Sequence, residues 1–520
     1  MRLIAGIRAR LRAAAKAEDG YTMVAAVGAV ALISTLAAGA LAASNGDINL
    51  VQRDLDRKRA HAAAQAGIAD YSYHLNNNNS YWSECDEVEE PSAVNQEGST
   101  EKRRNLSGGG EYAIELLPAN DADECDPDEP GPTMLEQEGT IAGSFRIRST
   151  GFVGDTRISL VATYKRTSLL DFIYFTQLET SDPVTYTDSD TVTHAKKQCI
   201  KFRREGRESV NLNDYGAPCR RIVFVTGDKV NGPLHTNDDL AICGKPEFGR
   251  GPTDVIEVTA PPQGWIDGDC DDPPGAEPIF NGPFVTTADK LEPPTSNAKL
   301  KDIAGAAYTF KCVTDITLEG DKMKIDSRDY DGTKSFPSSG VIYIENGSSS
   351  SCGSWSSCSG AYSPFSPSYS MSTKCGNAMV RGKYHGALTI AADNDIVVMG
   401  DIEREGQGLL GLIANNFVRV WHPCGSGVKD LEIDAAILSI AHSFIVDNYD
   451  CSSSLGTLTV EGAISQKFRG PVGTTGGTGY IKNYTYDDRL RYMEPPHFLD
   501  PVKPSWHIER ETLDFSGFEW

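Results

Sequence analysis

The stretch Tyr21–Ala43, YTMVAAVGAVALISTLAAGALAA, decides how the rest of this chain is read. It carries no charge, and none follows until Asp47. About 20 such residues, at 1.5 Å of helical rise each, cross a bilayer core. Ahead of it Arg2, Arg8, Arg10, Arg12 and Lys16 outweigh Glu18 and Asp19. That bias predicts a cytoplasmic N-terminus and a translocated body. Beyond it, Ile48, Val51, Leu55, Ala62, Ala66, Ala69 and Tyr73 keep helical spacing, interrupted at Lys58, and no proline occurs before Pro91. The spacing predicts one helix from about Tyr21 to about Leu75, roughly 80 Å long, ended by the polar run Asn76–Ser80. Small residues such as Ala25 and Ala29 permit close approach of another helix. Three processing schemes fit the apolar run. It is a secretory signal cut after Ala40-Leu41-Ala42, an uncleaved anchor, or the segment following a leader cut on the cytoplasmic side. A removable signal has no need of the long helical extension.

The 520 residues suit two to four domains. Fifty glycines and 27 prolines argue against a mostly helical protein. Acidic side chains outnumber basic ones 72 to 49, a net charge of −23, which argues against nucleic acid as a partner. All 12 cysteines lie beyond the apolar run and none forms a zinc-like CxxC pair, so they read as disulfides of an oxidising compartment. Nearest neighbours pair Cys85 with Cys125, Cys199 with Cys219, Cys243 with Cys270, Cys352 with Cys358 and Cys424 with Cys451. Cys312 and Cys375 remain, and Cys312 with Cys352 is the alternative.

The junction Glu18-Asp19-Gly20-Tyr21-Thr22-Met23-Val24 resembles the processing site of type IV pilin-like proteins. The resemblance implies a leader, residues 1–20, cut by a prepilin peptidase after Gly20, with Tyr21 as the methylated first residue of the mature chain. It also implies a helix that first anchors in the membrane and then packs against other pilin-like subunits in a fibre. The family's glutamate at the fifth mature position is Ala25 here. A subunit at a fibre tip has no neighbour above it to contact, so the departure suits a minor pilin or a K-type pseudopilin better than a major one. The run Phe145–Arg166, FRIRSTGFVGDTRISLVATYKR, alternates with period two around the turn residues Gly151–Asp155. It is similar to the hairpin that follows the long helix in many minor pilins. Glu111–Leu117 reads as another strand, and Ser168–Glu179 as a strand or short helix.

Farther on, short aliphatic segments recur about every 20 residues, the size of a coil in a parallel β-helix. They include Gly232–Leu240, Gly386–Ile390, Asn394–Met399, Leu409–Trp421, Leu431–Val446 and Leu458–Ile464. Asn and Asp suit the corners of such coils, and Asn415-Asn416 fits one. A β-sandwich is the alternative. The expected fold class is thus α+β: a long N-terminal transmembrane helix, a small antiparallel sheet and a mainly β, β-helix-like domain. The expected divisions are a leader 1–20, a transmembrane part 21–43, an exported helix 44–80, a pilin-like sheet region 81–180, a linker 181–220, a β-helix-like domain 221–470 and a C-terminal extension 471–520. The body would lie outside the inner membrane, at the cell surface or on a fibre after assembly.

No GxSxG, HExxH, Walker A or well-placed GxGxxG motif occurs, so no catalytic residue is named and no enzyme is expected. No cofactor is expected either. Asp267, Asp269, Asp271 and Asp272 do not keep an EF-hand frame, which leaves them, with Asp326, Asp329 and Asp331, as loose calcium loops or solvated turns. His422 and His497 read as packing or turn residues. Trp355, Tyr362, Phe365 and Tyr369, in a Ser/Gly-rich loop, are candidates to touch a surface glycan or cell ligand. The function expected is a pilus-associated surface protein for adhesion or structure. The alternative is a tethered or secreted β-helix enzyme acting on carbohydrate.

Overall fold

The computed structural model describes residues 21–78, 80–96, 102–136, 144–186, 189–207, 219–268, 275–352, 376–424, 427–451, 453–491, 493–502 and 506–514, as backbone alone at 21–22, 40–50, 166, 189 and 349–350. Among the described residues strand outweighs helix, so the protein is mainly β, which corrects the expected α+β class. It divides into two compact units, one of residues 1–134, 145–164 and 508–520, the other of 135–144 and 165–507.

The first unit is one helix and one sheet. The helix runs unbroken from Tyr21 to Asn77, 57 residues, two beyond the expected end. The lack of proline and the many alanines explain its length. From Ala60 onward one face is buried: Ala60, Ala63, Ala64, Ile68, Tyr71 and Leu75. The covering sheet orders its strands Val94–Asn95, Glu111–Leu117, Ser144–Val153, Thr156–Arg166 and Trp506–Asp514, with Arg104–Asn105 alongside the second. Glu111–Leu117 runs antiparallel to Ser144–Val153. Tyr71 packs against Phe145 and Tyr164, with ring centroids 6.1 and 5.6 Å away. A disulfide joins Cys85 to Cys125.

The transmembrane assignment of residues 21–43, and with it the single-helix anchor in an inner membrane, is corrected. Among the described residues no helix is long and apolar enough to cross a membrane.

The second unit is mainly a stack of parallel strands, with an antiparallel excursion through Thr314–Gly320, Lys322–Ser327 and Asp331–Ser335. One column of facing residues reads Ile342, Ile390, Leu412, Ile437, Ile464, Tyr174, Leu234, Ile256 and Phe284, each in register with the next. The first eight are buried, because each coil hides its apolar residues only by stacking on its neighbours. The order is not the order of the chain. The coil containing Tyr174 lies on the one containing Ile464, and the stack takes in Tyr174–Leu178 and Gly479–Tyr486, both outside residues 221–470. After Val285 the chain returns across the coils, and its next strand, Thr309–Lys311, pairs with Val341–Glu345. Two asparagines hold that return: Asn237 bonds both backbone groups of Leu291, and Asn297 donates to the carbonyls of Ala392 and Ile413. At a corner Asn416 donates to Asn394 at 2.5 Å and Asn394 to Asn377 at 2.6 Å, a ladder of amide side chains.

Buried ion pairs mark the join of first and last coils. Arg469, closed off from solvent over the ring of Phe224, meets Glu179 at 2.9 Å. Lys482 meets Asp228 at 2.6 Å; burial holds its ammonium below the usual lysine range, against the pull of Asp228. Elsewhere in the stack Arg419, wholly buried, serves two carboxylates: Asp395 at 3.0 Å and Asp447 at 2.8 Å. Burial pushes Asp447 up to about 6, with Asp395 adding and Arg419 opposing.

Two outcomes are expected. Arg469→Leu strands Glu179 without its cation and should destabilise the second unit by about 3–5 kcal/mol in urea unfolding. Asp447 holds a proton in the folded chain that the unfolded chain has released by about pH 4. Its share of stability is therefore present below about pH 4 and lost as pH rises to about 6, a change of about 3 kcal/mol. Asp447→Asn should remove that slope, read as the difference between the two stability–pH curves.

Candidate assembly surface

Three stretches follow one another along the helix. Met23, Val24, Val27, Val30, Leu32, Ile33 and Leu36 are 63–76% exposed. At 100° per residue they lie all round the circumference, so no rotation hides them from water. The next stretch is solvated and charged, with Lys58 paired to Asp54 at 2.7 Å and Gln52 bonded to Asp56 at 3.1 Å. From Ala60 onward the helix is held under the sheet.

That grip is close. Ser149 Oγ donates to the carbonyl of Ala64 at 2.8 Å. A side chain at Gly151 would meet the Ala60 carbonyl at 2.0 Å, and one at Gly67 would meet Ser149 Oγ at 2.2 Å. Small residues on both surfaces let strand and helix touch. Tyr164 donates to the Ile68 carbonyl at 3.1 Å and lies 2.7 Å from Ser72 Oγ. Arg104 grips Asp70 of the helix at 2.8 Å. Burial raises the neighbouring Tyr112 phenol, and its bond to Asp70 raises it further. Arg148 links Glu115 and Asp514 at 2.8 and 2.6 Å, tying the last strand to the sheet.

Covering the seven exposed side chains is worth on the order of 10 kcal/mol gross. That is comparable with the 4–15 kcal/mol cost of bringing two bodies together. The arrangement therefore suits burial among several similar helices.

The residues expected to mark function fall as follows. Gly20 lies outside the described residues. Tyr21 opens the helix, and its first turn holds no acidic residue. Ala25 is exposed. The pairs Cys85–Cys125, Cys199–Cys219 and Cys424–Cys451 are formed. Cys243 is also in a disulfide, and Cys270 lies outside the described residues. Cys352 pairs with Cys312 rather than Cys358. Their preceding strands run parallel with Lys311 opposite Glu345, which leaves the two Cα atoms 5.6 Å apart. Cys358 and Cys375 lie outside the described residues, as do Trp355, Tyr362, Phe365 and Tyr369.

Asp326 faces Asp331 across two antiparallel strands. Among the described residues no three His, Cys, Asp or Glu side chains gather as a metal site; Asp269, Asp271 and Asp272 lie outside them. His422 is buried with Nδ1 3.1 Å from the Asp447 carbonyl, and His497 sits in a turn with φ 54°. The sequence reading passed over the ions at the join of coils: Glu179, Asp228, Arg469 and Lys482. Of these only Lys482 carries a local signal, as the single charge in the strand Gly479–Tyr486.

No family model matches the chain, and no curated protein matches it. Among solved structures it is similar to the competence-associated pilin ComZ from Thermus thermophilus, at TM-score 0.27 and 12% identity, over 88% of this chain and 98% of that one.

Gly151→Ala drives a methyl group into helix backbone that has no room to yield. It should cost the first unit about 3 kcal/mol, whereas Gly108→Ala, with open space around it, should be near neutral. Hydrogen exchange in the strand Ser144–Val153 reads the difference.

Proposed function

We propose that this chain is a minor subunit of a type IV pilus-like fibre. The apolar first part of its helix packs among the helices of other pilin-like subunits, and the disulfide-bonded β stack is displayed outside the cell. In this reading the chain works by assembly and display rather than catalysis. One observation carries it: Met23 to Leu36 is apolar on every side and exposed, on a helix whose other end is locked under a sheet. A helix apolar all round needs cover, and like helices supply it. The disulfides support an oxidising location. The junction Gly20-Tyr21 supports a leader cut there, and Ala25 supports a tip or minor position.

Mass spectrometry of the protein from its native host should find a methylated Tyr21 at the N-terminus. Leu32→Asp with Leu36→Asp should abolish recovery in sheared fibres while leaving the stack's unfolding curve unchanged. A mature N-terminus near Ala43, or normal fibre recovery of the double variant, would sink the proposal.

A further inference from the structure

Among the described residues of the second unit the buried lysine and arginine side chains are Arg207, Arg419, Arg469 and Lys482. The arginines meet Asp238, then Asp395 with Asp447, then Glu179. A guanidinium keeps its charge at any ordinary pH, so those pairs are permanent. Lys482 is the exception. A buried lysine can give up its proton, and the free amine is a nucleophile.

Its surroundings are fixed. Asn483 lies opposite Lys229 in the parallel pairing, which sets Lys482 against Asp228. Lys482 Nζ lies 2.6 Å from Asp228 Oδ2. The main-chain N–H of the same lysine donates to Oδ1 at 3.1 Å, and the Val225 N–H donates to Oδ2 at 2.9 Å. The carboxyl group is therefore held at both oxygens, with the amine against it. Asp228 is 1% exposed and Lys482 8%. The Phe224 ring stands 5.7 Å from Nζ and carries the Arg469 guanidinium 3.5 Å from its centroid. Burial favours the neutral amine; Asp228 opposes it, and the Arg469 cation adds to it.

We propose that Lys482 and Asp228 condense into an intramolecular amide that staples the last coil of the stack to the first. Nζ passes a proton to Oδ2, which leaves an amine beside a carboxylic acid. The nitrogen forms a bond to Cγ, and negative charge collects on Oδ1 under the Lys482 main-chain N–H. The Cγ–Oδ2 bond then breaks, and Oδ2 takes a second proton from nitrogen and departs as water. One ammonium and one carboxylate give one amide and one water, with no oxidant or other reactant. Fixed contact replaces the encounter that makes the reaction slow in solution. Both residues line a groove that lets the water out. The bond would span 254 residues of sequence. It goes beyond fibre assembly and does not depend on it.

The test is mass spectrometry of the full chain, purified in detergent, then denatured and reduced. The intact mass should fall short of the sequence mass by one water. A digest should contain a branched peptide joining Asp228 to Lys482. Lys482→Arg keeps the charge and should lack both the branched peptide and the deficit. An aspartate that cyclises onto its own backbone also loses water, but that loss would persist in Lys482→Arg. The branched peptide of the parent decides the matter even where the variant does not fold. The proposal is overturned if parent chain with exchange-protected amides in Gly479–Tyr486 carries its full mass, if Lys482→Arg shows the same deficit, or if the branch joins other residues.

Discussion

The β stack depends on the pairing of Ile464 with Tyr174. A coil of this kind has no core of its own; its aliphatic side chains are buried only when another coil lies on each face. Here the coil that begins the unit completes the stack by lying on one built almost 300 residues later. Such a contact carries the entropic cost of closing a long loop. The charges at this join match that requirement. Arg469 with Glu179, and Lys482 with Asp228, are stable out of water only when both partners arrive in register. A slip of one residue would bury each charge alone. The Tyr486 hydroxyl, donating to the Leu170 carbonyl at 2.8 Å, closes the same join.

The helix follows a different logic. It divides by burial into an exposed apolar part, a charged middle and a buried end. The buried end needs small residues, because Gly151 and Ser149 bring the strand against the helix backbone. The exposed part has no such steric demand, only apolar character on every side. One continuous helix thus joins an exposed apolar surface to an end buried under a sheet.

Much of this was legible residue by residue. Glu111–Leu117 and the hairpin around Gly154 follow from period-two alternation, and the helix from its spacing and freedom from proline. Three short-range disulfides followed from proximity in sequence. Cys312–Cys352 was legible only as an alternative, because the nearer partner in sequence is Cys358 and strand pairing overrides that distance. The membrane-spanning assignment rested on the uncharged run Tyr21–Ala43, the basic residues before it and the pilin-like junction, and it did not survive. The contact of Asp228 with Lys482 was invisible: the two stand far apart in the chain, and nothing local in either marks the other.

The sequence by itself determined what is local: where the helix runs, which strands alternate, the recurrence of coils about 20 residues long, and an excess of acid. Local rules suffice there, because helical and strand periods are set by the backbone within a few residues. Only the tertiary structure decided the order of coils, the return from Val285 to Thr309, the partner of Cys352 and the meeting of Asp228 with Lys482. Each of these depends on which distant surfaces bury one another. That choice is made by summed packing and the pairing of buried charge, and no stretch of the chain carries it alone.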